Sequence, residues 1–316
     1  MKVKFHLPGL RYNYPLNMMF LSLLKTRPEY FREGVEIASF FGEFPTSLWS
    51  GGRYCNDDQW DSAFIKGVVK NINEQGVPVR FTYTNPLLNE HDLDDAYCNF
   101  CLQVADNGMN EVLVVSPILE KYIREKYPSF KINSSTCKEI RDMDELNKEI
   151  EQDYNLVVLD YNWNNQFDIL EQIERKDKVE ILVNACCVPN CPRRGEHYRT
   201  IGKQERIALQ NRKNPTDRKI PVPGWYCEYG DKNHIYNIQD YVTYISPDAI
   251  WDKYVPMGYS NFKIEGRTAS IFQLVETYCF YMIKPEKQGE VRLLLLSNLE
   301  KANVITVNKP RKGIWP

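Results

Sequence analysis

Residues 111–135 read EVLVVSPILEKYIREKYPSFKINSS. Glu111–Val115 and Phe130–Ser134 are short runs of strand-forming residues, and Ile118–Lys126 between them is amphipathic at helical spacing. Strand, helix, strand in that order is the unit of a parallel sheet covered by helices. The alternation continues outward in both directions. Strands are predicted at Val3–Leu7, Gly34–Phe41, Val77–Tyr83, Leu156–Asp160, Val179–Asn184 and Asn261–Ile264. Trp60, Phe64, Val68 and Ile72 recur every four residues, which predicts a helix over Asp57–Gln75 capped by Asp57 or Asp58. Asp92–Asn107, Asp142–Gln152, Gln166–Arg175 and Ser270–Met282 behave alike, and Gly76 and Gly108 stand where a positive φ ends a helix. Eight strands with intervening helices predict an α/β fold, a closed TIM-like (β/α) barrel whose chemistry lies at the carboxyl ends of the strands.

A chain of 316 residues, 43% of them hydrophobic, can bury the core of such a barrel, which is expected to occupy about 1–285. The regular alternation stops between Asn184 and Phe262, so an insertion at about 185–260 precedes the last strand, with one further helix at Pro247–Val255. Residues 286–316 read as a small C-terminal appendage, with a β-like run at Glu290–Ser297. A net charge of −2 gives no global attraction to nucleic acid or anionic lipid. The apolar run Met18–Leu24 is too interrupted upstream for a signal peptide, and no stretch reaches the ~18 to 20 apolar residues of a membrane span. A cytoplasmic protein without membrane contact is therefore expected, and its nine cysteines read as thiols or metal ligands rather than disulfides.

The chemistry concentrates in Val183–Tyr198, which carries Cys186, Cys187 and Cys191 directly after an apolar strand. Pro189 and Pro192 turn the backbone so that Cys187 and Cys191 can face a common centre. Clustered thiolates suit zinc or an iron–sulfur centre, because soft sulfur donors can share one metal site. Cys227, in the same insertion, is a natural further ligand, whereas Cys186 could instead pack as a small hydrophobe. Cys137 and Cys55 each follow a strand and are alternative fourth ligands. Cys98 and Cys101, a Cys-x-x-Cys pair within a helix, read as core, as does Cys279. A radical-type Cys-x-x-x-Cys-x-x-Cys loop is not formed, because position 194 is arginine.

Arg193 to Lys219 holds nine Lys or Arg against Glu196, Glu205 and Asp217, a strip able to attract a carboxylate or phosphate ligand. Trp225, Tyr226 and Tyr229 could stack an aromatic ring or a base, although the regular basic and aromatic interleaving of an RNA platform is missing. His197 is placed for proton donation, substrate contact or metal ligation. Lys263, Glu265 and Arg267 end the last strand; alternation sends Lys263 and Glu265 to one face, as a pair that closes the barrel or binds an anion.

Three of these features resemble the collagenase-like peptidase superfamily, which includes anaerobic ubiquinone and tRNA hydroxylation proteins. They are Gly258-Tyr-Ser-Asn-Phe-Lys-Ile-Glu-Gly-Arg267, Ile132-Asn-Ser-Ser-Thr136, and the cysteine loop at Cys187 and Cys191. The resemblance implies a barrel holding a [4Fe–4S] cluster on four cysteines, here Cys186, Cys187, Cys191 and Cys227. It further implies oxygen-independent hydroxylation, with oxygen taken from prephenate in the hydroxylating relatives and a small aromatic or anionic substrate here. Where the family has an Arg-Glu step after its sixth strand, this chain has Tyr161-Asn162-Trp163. A non-catalytic cluster-bearing partner of another subunit and a peptidase are the alternatives; neither a Ser/His/Asp order nor a His-Glu-x-x-His motif stands out.

Overall fold

The computed structural model describes residues 2–44, 47–51, 61–214, 218–229, 237–266 and 269–306. Eight strands pair in parallel in chain order, and the last pairs with the first, so the sheet is a closed barrel. They are β1 (Val3–Pro8), β2 (Val35–Gly42), β3 (Val79–Tyr83), β4 (Glu111–Val114), β5 (Lys131–Ser134), β6 (Leu156–Val158), β7 (Val179–Leu182) and β8 (Asn261–Lys263). Each lies where its sequence pattern predicts.

Helices cover the outside. Ser62–Glu74 buries Ile65, Val68, Val69 and Ile72 as one stripe. Its cap is Asp61, whose carboxylate accepts from the Phe64 amide at 2.8 Å; Asp57 and Asp58, the expected caps, lie outside the described residues. Gly76 and Gly108 have φ of 79° and 77°, as their positions after helices require. Cys98, Cys101 and Cys279 are buried in the core. Burial pushes the Cys98 and Cys101 thiols well up, which makes them inert packing groups.

Two expectations are corrected. Glu290–Ser297 is not a strand but part of the helix Gln288–Lys301, whose Val291, Leu295 and Leu299, spaced four residues apart, belong to the barrel's own core cluster. The insertion contains a twenty-residue helix, Arg194–Lys213, with no counterpart in the predicted elements. Its buried face includes Arg194, Gly202 and Glu205 beside Ile201 and Leu209, so the apolar period that announces a helix is diluted. No helix among the described residues is long and apolar enough to cross a membrane.

The barrel interior is polar. Arg80 on β3 donates from Nε to Glu111 on β4 at 2.7 Å and through Nη1 to Glu180 on β7. β3 and β7 are not neighbours, so this contact passes through the barrel. Lys263 on β8 lies 3.4 Å from Glu180, Asn133 on β5 donates to Glu111 at 3.0 Å, and His6 on β1 lies 2.8 Å from Ser39 on β2. Two cations thus face two carboxylates; Arg80 and Glu180 are fully buried, and Lys263 is 8% exposed.

His6 completes the arrangement as a neutral ring. Arg80 Nη2, which can only donate, is 2.9 Å from its Nδ1, so the ring proton belongs on Nε2, 3.3 Å from Glu180. Burial dominates its ionisation, Arg80 and Lys263 add to that against the pull of Glu180 and Glu111, and its pKa falls from 6.5 to about 4. The folded pKa lies below the unfolded one, so the unfolded chain takes up the proton first and stability is lost as pH falls from 6.5 to about 4. The expected loss across that window is on the order of 3 kcal/mol. Denaturant unfolding at pH 7, 5.5 and 4 measures it, and His6→Asn should flatten the upper part, above the range where ordinary carboxylates titrate. An unchanged slope in that variant would remove His6 as the cause.

Candidate functional site

A cavity of about 440 Å³ opens at the carboxyl ends of the strands. Phe41 from β2, Thr82 from β3, Leu182 from β7 and Lys263 from β8 line its floor, and the segments following β5, β6 and β7 line its walls. Cys186, Cys187, Cys191 and Cys227 all reach it, as does Cys137 from the β5 side.

The loop after β7 carries three of these thiols. The chain reverses at Asn190, whose φ is 54°, a left-handed conformation that asparagine tolerates. The turn is anchored by the Asn190 amide, which donates to Asn162 Oδ1 at 2.7 Å. At the start of the loop the Cys186 amide donates to Glu265 Oε2 at 2.9 Å, and the Asn184 side chain clasps the Glu265 backbone at 2.6 and 3.1 Å. Burial raises the Cys187 thiol to about 11; Tyr161 favours its thiolate while neighbouring Cys191 opposes it.

Cys227 arrives on a strap, residues 218–229, fastened along one stripe of the helix Arg194–Lys213. The Asn211 side chain bonds both the amide and the carbonyl of Ile220 at 2.7 Å, and Gln204 donates to the Pro223 carbonyl at 2.7 Å. Farther along, His197 stacks on Trp225 with centroids 4.7 Å apart, and Arg193 donates to the Tyr226 carbonyl at 3.2 Å. Spacings of seven, seven and four residues from Asn211 to Arg193 keep these fasteners on one side of the helix. Tyr241 lies in the same corner: burial raises its pKa, and Cys187, Cys186 and Cys227 add to the effect.

Among the described residues these four thiols and Cys137 line one cavity. Among the described residues no three His, Cys, Asp or Glu side chains are closed around a point that would hold a single metal ion. What is present is a donor set, four sulfurs from two segments on one cavity, whose soft chemistry fits an iron–sulfur or zinc centre. Cys55 and Arg267 lie outside the described residues.

Lys263 and Glu265 do not pair with each other. Lys263 turns down to Glu180 and sits 4.3 Å from the Phe41 ring, while Glu265 turns to the cysteine loop. The strand ends at Lys263, so strict alternation does not extend to Glu265. Most of the basic strip is exposed, with Arg199, Lys203, Arg212, Lys213, Arg218 and Lys219 at the surface, but two of its arginines are paired with acids. Arg206 pairs with Asp92 at 2.7 Å, and Arg194 is 2% exposed, held by Asp160 and by Glu139 at 3.3 Å. The acids that pair with these two arginines come from distant segments, which a local count of charges cannot see.

Tyr161 and Tyr198 line the cavity and are not among the predicted site residues; the sequence marks Tyr161 only where the chain departs from the family's Arg-Glu step. The physical signal for Tyr161 is its position directly after β6, at the catalytic end of a barrel strand. Burial holds both phenols firmly protonated.

No protein-family model matches this chain, and no curated protein matches it. Among solved structures it is similar to a U32 peptidase, Mk0906, at 13% identity, over 84% of this chain and 92% of that chain, with a TM-score of 0.46.

Proposed function

We propose that this chain is an iron–sulfur enzyme of the collagenase-like peptidase superfamily, with its cluster on Cys186, Cys187, Cys191 and Cys227, acting in oxygen-independent hydroxylation of a small aromatic or anionic substrate. The observation that carries this reading is the delivery of four thiols to one cavity by two separate devices, the β7 loop and the strap. Cys191 is buried and Cys186, Cys187 and Cys227 are partly buried, and sulfurs held in place around one cavity suit a cluster. When bound, a cluster supplies an electron or a Lewis-acidic iron beside the substrate.

The remaining roles belong to the chain itself. Lys263 places a cation at the floor, supported from below by Glu180, where a substrate carboxylate would rest. Glu265 and Asn162 fix the backbone of the cysteine loop. Trp225, supported by His197 and by Arg193 at 4.3 Å, walls the cavity with aromatic surface that limits water entry. The cavity volume falls within the roughly 300–1,000 Å³ of small-ligand sites.

Purification without air, followed by iron, acid-labile sulfide and zinc analysis and a visible spectrum, tests the reading. Iron and sulfide in equal amounts with a broad visible absorption are expected. Zinc alone on a colourless protein would replace the cluster by a structural metal.

A further inference from the structure

The Tyr161 hydroxyl is buried and makes no hydrogen bond of good geometry among the described residues, although it lies close enough to Cys187 and Arg194 for each to act on its ionisation. The residue is 2% exposed and lines the cavity. Its ring packs with Leu182 and Ala185, and Cys187 packs against the same cluster. Arg194 covers the ring with its guanidinium 4.6 Å from the centroid, but that cation is already engaged by Asp160 and Glu139. The ring is thus clamped between an apolar patch and an occupied arginine, with its donor directed toward the thiol corner. A buried hydroxyl is seldom left without a well-formed hydrogen bond, and the neighbouring Cys187 sulfur is the acceptor within its reach.

We propose that Tyr161 donates its hydroxyl hydrogen to the Cys187 sulfur when that sulfur ligates the cluster, and so sets the electron donation of this ligand and the reduction potential of the centre. This rests on the cluster reading above. A neutral Cys187 thiol offers only a weak acceptor, whereas a metal-bound thiolate keeps lone pairs that accept strongly. Tyr161 is a positioning residue in this role: it touches the ligand, not the reacting substrate. A hydrogen bond to a ligand sulfur withdraws charge from iron and favours the reduced state, so losing it lowers the potential.

The test uses the full chain purified or reconstituted without air, as wild type, Tyr161→Phe, and a protein with 3-fluorotyrosine incorporated at position 161. Iron and sulfide content, a redox titration followed by electron paramagnetic resonance, and deuteron coupling after exchange into heavy water are measured. Tyr161→Phe should retain iron and sulfide at the wild-type ratio, show a more negative midpoint potential and lose one strongly coupled exchangeable deuteron. Fluorotyrosine, a stronger donor of nearly the same size, should shift the midpoint the other way, and it decides the matter if the phenylalanine variant fails to fold. Identical potentials and couplings in all three proteins would overturn the inference and leave the cluster reading standing. A wild type with neither iron nor sulfide would overturn both.

Discussion

Replacing Arg80 with methionine is expected to cost about 3–5 kcal/mol of folding stability, because it removes the shared cation from a buried network and leaves its carboxylates in place. Arg80 is fully buried and bonds Glu111, Glu180 and His6 across the barrel. Without it, Glu180 keeps only Lys263 as a cation, at 3.4 Å, and Glu111 keeps the amide of Asn133 at 3.0 Å. Burial alone would push the Glu180 carboxyl up; Arg80, His6 and Lys263 together hold it well below its ordinary range. The variant should therefore take up a proton at this layer that the native protein does not, and unfold in acid earlier. Urea unfolding at pH 7 measures the direct loss. A change below about 1 kcal/mol would mean that the network is nearly neutral and that methionine fills the space as well as arginine does. Replacing Glu180 and Arg80 together by apolar residues should cost less than Arg80→Met alone, since no buried carboxylate then loses its main partner at β7.

This network explains both what the sequence discloses and what it conceals. On β3, Val79, Phe81 and Tyr83 join the core cluster while Arg80 and Thr82 are buried polar residues. The run still reads as a strand, because alternation identifies the element whichever face is polar. The partners of Arg80 cannot be read in the same way, since Glu180 is separated from it by 100 residues and meets it only through barrel closure. Locality decides the other cases too. Cys187 and Cys191 are joined by one turn and are legible together, but the strap that brings Cys227 to them depends on Asn211, Gln204 and His197 facing one way on a helix whose buried side is partly charged. The helix Gln288–Lys301 was obscured by the opposite problem. Leu293 and Leu294 are exposed apolar residues next to the buried Val291 and Leu295, and an unbroken apolar run carries no period to separate helix from strand.

The largest effect at the site is expected from the ligand thiols. Cys187→Ala and Cys191→Ala should each reduce iron and sulfide to background, because one loop with a single anchored reversal at Asn190 presents both sulfurs together. Cys98→Ala with Cys101→Ala provides the contrast: two buried core thiols, expected to leave metal content unchanged at a cost of roughly 1–2 kcal/mol in stability. The fourth position is decided by a pair of variants. Cys186 shares the Tyr241 corner with Cys187 and Cys227, whereas Cys137 approaches from β5 beside Tyr198. Cys186→Ala should therefore lose the cluster and Cys137→Ala should keep it. The opposite result would make Cys137 the fourth ligand and leave Cys186 to its hydrogen bond with the Asn184 carbonyl at 3.6 Å.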